Sequence, residues 1–343
     1  MQRRWLVGLL ACACALAVVA TASGTKPGAG SSTGIGSVFV PNPVQQLGDE
    51  TLTDQKDSDA AVPASAYHDV TLTNLDGSGF LNGDWATVVS ETGNAAYSPS
   101  NTFQYTRSDD RFEQVMAYYW VTQSELYLQK LGFGEWLPPV DRQPQRVRIN
   151  QYGADNSFTS DHPTLEVRLG KGGVDDAEDG EVILHELGHA IHFSQGFAFA
   201  SEQADAISEG FGDYWAVTVG DVVRQADHVA TQEPLACVAD WDSTSYTSDV
   251  PHCLRRLDDN LHYPNDLDGD VHDDGRIWSQ ALLGIRTALG NLEADTIIVD
   301  GSMNFVGTTM PQLAQATVDT AKELYGNAAK NAVFAAFHAR GIL

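Results

Sequence analysis

The chain has 343 residues, 43% of them hydrophobic and 19% charged, a globular composition with ample material for a core. Its formal net charge of −26 and pI near 4.4 argue against nucleic-acid binding and against docking on anionic membranes, because both surfaces recruit basic proteins. Most of this acidity reads as a solvated surface, with calcium binding as the functional competitor.

Arg3 and Arg4 precede an apolar run over residues 5–20, and Ala20-Thr21-Ala22 offers a small-residue cleavage site. Residues 1–22 therefore read as a secretory signal, shorter than the ~20 apolar residues that span a bilayer. Leu9-Leu10-Ala11-Cys12 loosely matches a lipoprotein box but comes early in the run, so simple secretion is favoured over a lipid anchor. No stable membrane insertion is expected once the signal is cleaved. Residues 23–66, rich in Gly, Ser, Pro, Thr and Asp, predict a flexible leader.

Residues 67–107 predict a small β module or propeptide remnant, with short strands near 70–73, 85–89 and 103–105. The main domain is assigned to residues 108–343. Its first helix is predicted over 110–131, where Phe112, Val115, Met116, Tyr119, Leu126 and Leu131 form a broad apolar face. Strands at 145–151 and 164–169 follow, then helices at 181–194, 202–219, 275–289, 311–325 and 327–339. There is no internal repeat. Of four cysteines, Cys12 and Cys14 leave with the signal, and Cys237 and Cys253 predict a disulfide.

His185-Glu186-Leu187-Gly188-His189 carries the chemistry. Histidines four residues apart share one helical face and can hold a single metal ion, and the glutamate between them can act as general base without being a ligand. Val182, Ile183, Leu184, Leu187, Ala190 and Ile191 make this helix largely apolar, so the two histidines would need partners inside the fold. A metzincin would have Gly at 192 and His at 195, whereas this chain has His192 and Gln195. Glu209 is the best third ligand, and Asp213, one turn further on, can accept a hydrogen bond from the second ring nitrogen of His185. Gly210 and Gly212 permit close helix–helix approach. His192 lies too far along the helix to join the same ion. Asp266-Leu267-Asp268-Gly269-Asp270 is a calcium candidate, although Ile277 stands where an EF-hand loop ends in Glu. Arg255 and Arg256 are suited either to substrate carbonyls or to pairing with Asp258 and Asp259.

Over residues 179–216 the sequence resembles a gluzincin, similar to thermolysin and closer to the fungalysin-type secreted metallopeptidases. HExxH is followed at family spacing by Ser208-Glu209-Gly210-Phe211-Gly212-Asp213, which is GEGxxD-like with Ser in place of the first Gly. His272-Asp273-Asp274-Gly275-Arg276-Ile277-Trp278 resembles the HxxGxxW segment of that family, and residues 333–341 resemble its closing helix. The resemblance implies an α+β fold, a two-lobed zincin domain with a sheet-containing N-terminal lobe and a mainly helical C-terminal lobe. It implies Zn2+ held by His185, His189 and Glu209, with Glu186 as base toward a zinc-activated water and His272 as donor to the developing oxyanion. Asn156 and Ser157 resemble the stretch that lines the substrate backbone. The tyrosine that thermolysin-like enzymes place about eleven residues after the second histidine is replaced here by Phe199-Ala200, with Tyr246 and Tyr263 as substitutes. The expected activity is that of a secreted, monomeric zinc endopeptidase acting on peptides or proteins. The competing readings are an exported protein with a structural zinc site, against which Glu186 argues, and a zinc hydrolase of non-peptide substrates.

Overall fold

A computed structural model describes residues 32–231 and 235–343. The expected signal over residues 1–22, with Cys12 and Cys14, lies outside the described residues. In chain order the elements are β1 (Ser32–Val38), α1 (Pro43–Leu47), β2 (His68–Leu75), β3 (Ala86–Ser90), β4 (Thr102–Phe103), α2 (Arg111–Lys130), β5 (Gln145–Ile149), β6 (Phe158–Ser160), β7 (Glu166–Arg168), α3 (Gly180–Ser194), α4 (Glu202–Ala226), β8 (Cys237–Val238), β9 (Arg255–Arg256), α5 (Val271–Leu289), α6 (Asn291–Gly301), α7 (Met310–Tyr325) and α8 (Asn327–Ala339).

The expected two-part α+β architecture is observed, with sheets in the N-terminal part and helices in the C-terminal part. One sheet has the order β2-β1-β4 and the other β3-β5-β7-β6. In the second sheet β3, β5 and β7 run parallel, with Val88, Val147 and Val167 in register, while β6 pairs antiparallel and forms the edge. Val147 and Val167 are fully buried, as strands covered by helices require.

Two expectations about the N-terminal third are corrected. Residues 32–66 are not a loose leader. Their average composition is polar, but Val38-Phe39-Val40 is a contiguous apolar run, and it is wholly buried. The Phe39 ring lies 4.7 Å from both Tyr67 and Phe112 and 5.4 Å from Trp241. Asn42 donates to Asp179 at 3.2 Å and to Asp240 at 2.6 Å, and Gln45 donates to Glu181 at 2.9 Å, which ties this segment to the start of α3. Nor do residues 67–107 form a separate module. β2 and β4 flank β1, whereas β3 belongs to the other sheet beside β5. Covered by β1 on one side and α3 on the other, α2 is buried around most of its circumference rather than along one face.

The helices begin where side chains can satisfy their first N–H groups. Asp179 accepts from Glu181 N at 2.9 Å, Ser201 from Ala204 N at 3.1 Å and Asp270 from His272 N at 2.9 Å. The Asp270 cap starts α5 four residues earlier than periodicity suggested and brings His272 into its first turn. α6 was not anticipated. Gly290 precedes it and supplies no side-chain cap. α3, α4 and α5 pack in sequence against one another and form the core of the site. Among the described residues no helix is long and apolar enough to cross a membrane.

Candidate metal centre

α3 presents His185 and His189 on one face, and α4 brings Glu209 opposite them. One ligand atom from each of the three lies within 4.8 Å of the others. Glu209 Oε2 is 3.3 Å from His185 Nε2, and Glu209 Oε1 is 3.5 Å from His189 Nε2. The helices approach this closely because glycines face each other. A Cβ on Gly188 would stand 2.7 Å from Gly212 Cα, and one on Gly212 would stand 2.8 Å from His185 Nδ1. Gly210 serves α5 similarly, since a Cβ there would meet Gly275 O at 2.2 Å.

Donor chemistry and burial both suit a metal. Two imidazoles and a carboxylate match a three-ligand zinc set with an open position, and Glu209 Oε2 is buried without a hydrogen-bond partner. Burial would raise the Glu209 carboxyl, but His189 and His185 outweigh it and hold it well below the usual range. Burial lowers His189 from the ordinary imidazole value, toward the neutral form that ligates.

The supporting contacts are specific. Asp213, fully buried, lies 2.9 Å from His185 Nδ1. Burial opposes its charge, yet Arg255 and His185 prevail and hold it at about 2. Arg255 grips Asp213 through Nε and a terminal nitrogen, both at 2.7 Å, instead of Asp258 or Asp259, while Arg256 takes Asp258 at 2.8 Å. Ser208 Oγ lies 2.8 Å from His189 Nδ1 and 3.0 Å from His192 Nδ1. Were His189 to ligate a metal through Nε2, its Nδ1–H would donate to Ser208, whose hydroxyl could in turn donate to His192. His192 stays outside the ligand group, stacked between Phe197 and Phe211 at 4.3 and 4.4 Å.

Glu186 points into the same cleft, where Thr159 Oγ1 donates to its Oε2 at 2.8 Å. Nothing in the local sequence marks Thr159, because its contact with Glu186 arises only when edge strand β6 lies along α3. His272 also reaches the cleft, with Nε2 at 3.6 Å from Glu209 Oε2 and Nδ1 at 3.3 Å from Asp270 Oδ1. Asn156 and Ser157 line both halves of the cleft, and Ser157 donates to Asp176. Tyr246 lines one half and donates to Asp155 O at 2.6 Å. Tyr263 lies instead by the C-terminal tail, its N–H bonded to Arg340 O at 2.8 Å.

Cys237 and Cys253 form the expected disulfide, closing the loop that carries Asp242 and Tyr246. The calcium candidate at 266–270 does not assemble as a ligand group among the described residues. Asp270 caps α5, and Asp266 accepts from His262 N at 2.7 Å.

No protein-family model matches the chain, and no curated protein matches it. Among solved structures it is similar to the precursor of protealysin, a metalloproteinase from Serratia proteamaculans. The TM-score is 0.54 at 18% sequence identity, covering 74% of this chain and 85% of that one. The likeness is one of fold, with sheets in the N-terminal part and helices in the C-terminal part.

Proposed function

We propose that the protein is a secreted zinc endopeptidase with Glu186 as its general base. One observation carries the reading. A His–His–Glu ligand group shares its cleft with a carboxylate that is not part of it, Glu186, whose Oε2 and backbone oxygen both lie 2.8 Å from Thr159 Oγ1. A purely structural zinc site has no use for such a base.

His185, His189 and Glu209 would hold zinc, which when bound would supply Lewis acidity to the site. Glu186 takes the proton of the attacking water on the oxygen that Thr159 does not bond, and passes it to the leaving amine. Asp270 accepts from His272 Nδ1–H and so orients the ring with Nε2 toward the cleft, where Nε2 donates to the forming oxyanion only when the ring carries both protons. Tyr246 could serve as a second donor only on releasing Asp155 O, which accepts from its hydroxyl at 2.6 Å. Asp213 fixes the tautomer of His185, and Ser208 does the same for His189. The free edge of β6, with Asn156 and Ser157 beside it, suits a substrate backbone added as an extended strand.

Zinc content and casein hydrolysis of the wild type and Glu186→Gln test this reading. Both proteins should hold zinc, and the variant should lose about 100- to 10,000-fold in turnover. A zinc-loaded wild type that cleaves no peptide refutes the assignment. Export rests on Arg3, Arg4 and the apolar run behind them. The N-terminal residue of the active extracellular form checks it, and an extracellular form that still retains residues 1–22 refutes signal cleavage.

A further inference from the structure

Beside His185 and Glu186 the cleft extends into a cavity of about 90 Å³ whose far lining has no part in the hydrolytic chemistry. Val182, Val238, Ala239 and Leu254 give it an apolar wall, and Asp176 and Asp242 give it an acidic one. Asp155 stands with them, one carboxylate oxygen from each of the three lying within 4.8 Å of the others. Asp176 is 2% exposed and Asp242 4% exposed. The Oδ1 atoms of all three aspartates are buried without a hydrogen-bond partner.

No cation of the described residues forms an ion pair with any of these aspartates. Arg255, in the cavity wall, has its guanidinium forked onto Asp213 at 2.7 Å. Three close carboxyls with no ion-pair partner are a poor arrangement for a closed fold: burial raises all three, and repulsion from the neighbouring aspartates adds to this at Asp176 and Asp242, with Arg255 only partly opposing it at Asp242. A cationic partner reverses both effects.

We infer that this cavity receives a basic side chain, lysine or arginine, from one of the two residues flanking the scissile bond. The inference rests on the peptidase reading above and specifies its substrate class. A metal ion fits less well. Calcium takes six to eight oxygens around it, whereas this lining sets Asp176 and Asp242 beside the apolar Val182, Val238, Ala239 and Leu254 and the guanidinium of Arg255. Lysine and arginine match that division, with an alkyl stem for the apolar wall and a charged head for the aspartates. The position beside Glu186 suits a residue adjacent to the reacting bond. A neutral side chain would leave buried carboxyls unpaired, and sites built around a polar partner discriminate more sharply than apolar slots.

Quenched peptides carrying Arg, Lys, Leu or Glu in each flanking position test the inference. Arg or Lys should exceed Leu in kcat/KM by about 100-fold at one position, and Asp242→Asn should shrink that ratio at least tenfold. Simple structural damage would lower all the peptides together. Asn is isosteric and relieves repulsion, so a thermal midpoint no lower than wild type accompanies the expected result. Equal cleavage of Arg and Leu peptides by the wild type overturns the inference and leaves the peptidase reading standing. Calorimetric titration of zinc-loaded Glu186→Gln with argininamide, or with calcium alone, reads the cavity independently of cleavage. Argininamide binding that is lost on adding Asp242→Asn supports the receptor even if no peptide is cut, in which case only the peptidase reading falls. Calcium binding that depends on Asp242, with no argininamide binding, overturns the inference in favour of an ion site.

Discussion

Gly212→Ala tests the packing argument at its tightest point. The added methyl would stand 2.8 Å from His185 Nδ1, 2.9 Å from Cε1 and 3.0 Å from the His185 carbonyl oxygen, so the ring must shift. Overpacking of this kind costs about 1–3 kcal/mol, while replacing glycine inside a helix returns about 1 kcal/mol. The net loss of stability is therefore small, roughly 0–2 kcal/mol. The larger effect falls on the metal, because displacing a ligand from its Asp213 contact should weaken zinc binding about 10- to 100-fold. Gly220→Ala on the same helix is the control. Its nearest neighbour would be Glu181 Oε1 at 3.7 Å, an ordinary contact, so it should gain up to about 1 kcal/mol and keep its zinc affinity. Zinc affinity from chelator competition, with thermal midpoints for both variants, decides the matter. A folded Gly212→Ala protein that binds zinc within about twofold of wild type would refute the claim that His185 is packed against this glycine, given an expected loss of at least about tenfold.

Thr159→Val removes the donor to Glu186 Oε2 and should lower kcat about 10- to 100-fold with zinc content unchanged; an unaltered kcat would mean that Glu186 needs no such support. Ser208→Ala deletes the partner of His189 Nδ1 and should weaken zinc binding about 10-fold or more, measured by chelator competition. Stability at saturating zinc should fall as pH rises. Burial lifts Asp295 to about 6 and Glu181 to about 8, so the fold holds more protons than the unfolded chain from about pH 4 to 8. Above about pH 5 Asp213, held at about 2, is ionised in both states and adds no slope, while His192, lowered by burial, opposes the trend only below its ordinary value of 6.5. A thermal midpoint that climbs between pH 5 and 8 would contradict this.

What the sequence by itself determined is the part of the site whose geometry is local. A four-residue separation on a helix becomes one face and one ligand distance, which made His185, His189 and the Glu209–Asp213 pair legible before any packing was known. Caps and periodicity located most helices for the same reason, since each depends on neighbours within a turn or two. Composition misled where a short apolar run sat inside polar sequence, as at Val38-Phe39-Val40, because burial follows individual side chains and not averages. Tertiary structure alone decided the contacts between distant segments. Arg255 meets Asp213 from 42 residues away, Thr159 reaches Glu186 across 27, and Ser208 bridges His189 and His192 between two helices. The gathering of Asp155, Asp176 and Asp242 belongs to the same class. Such meetings depend on how whole elements pack, and no spacing in the chain encodes them.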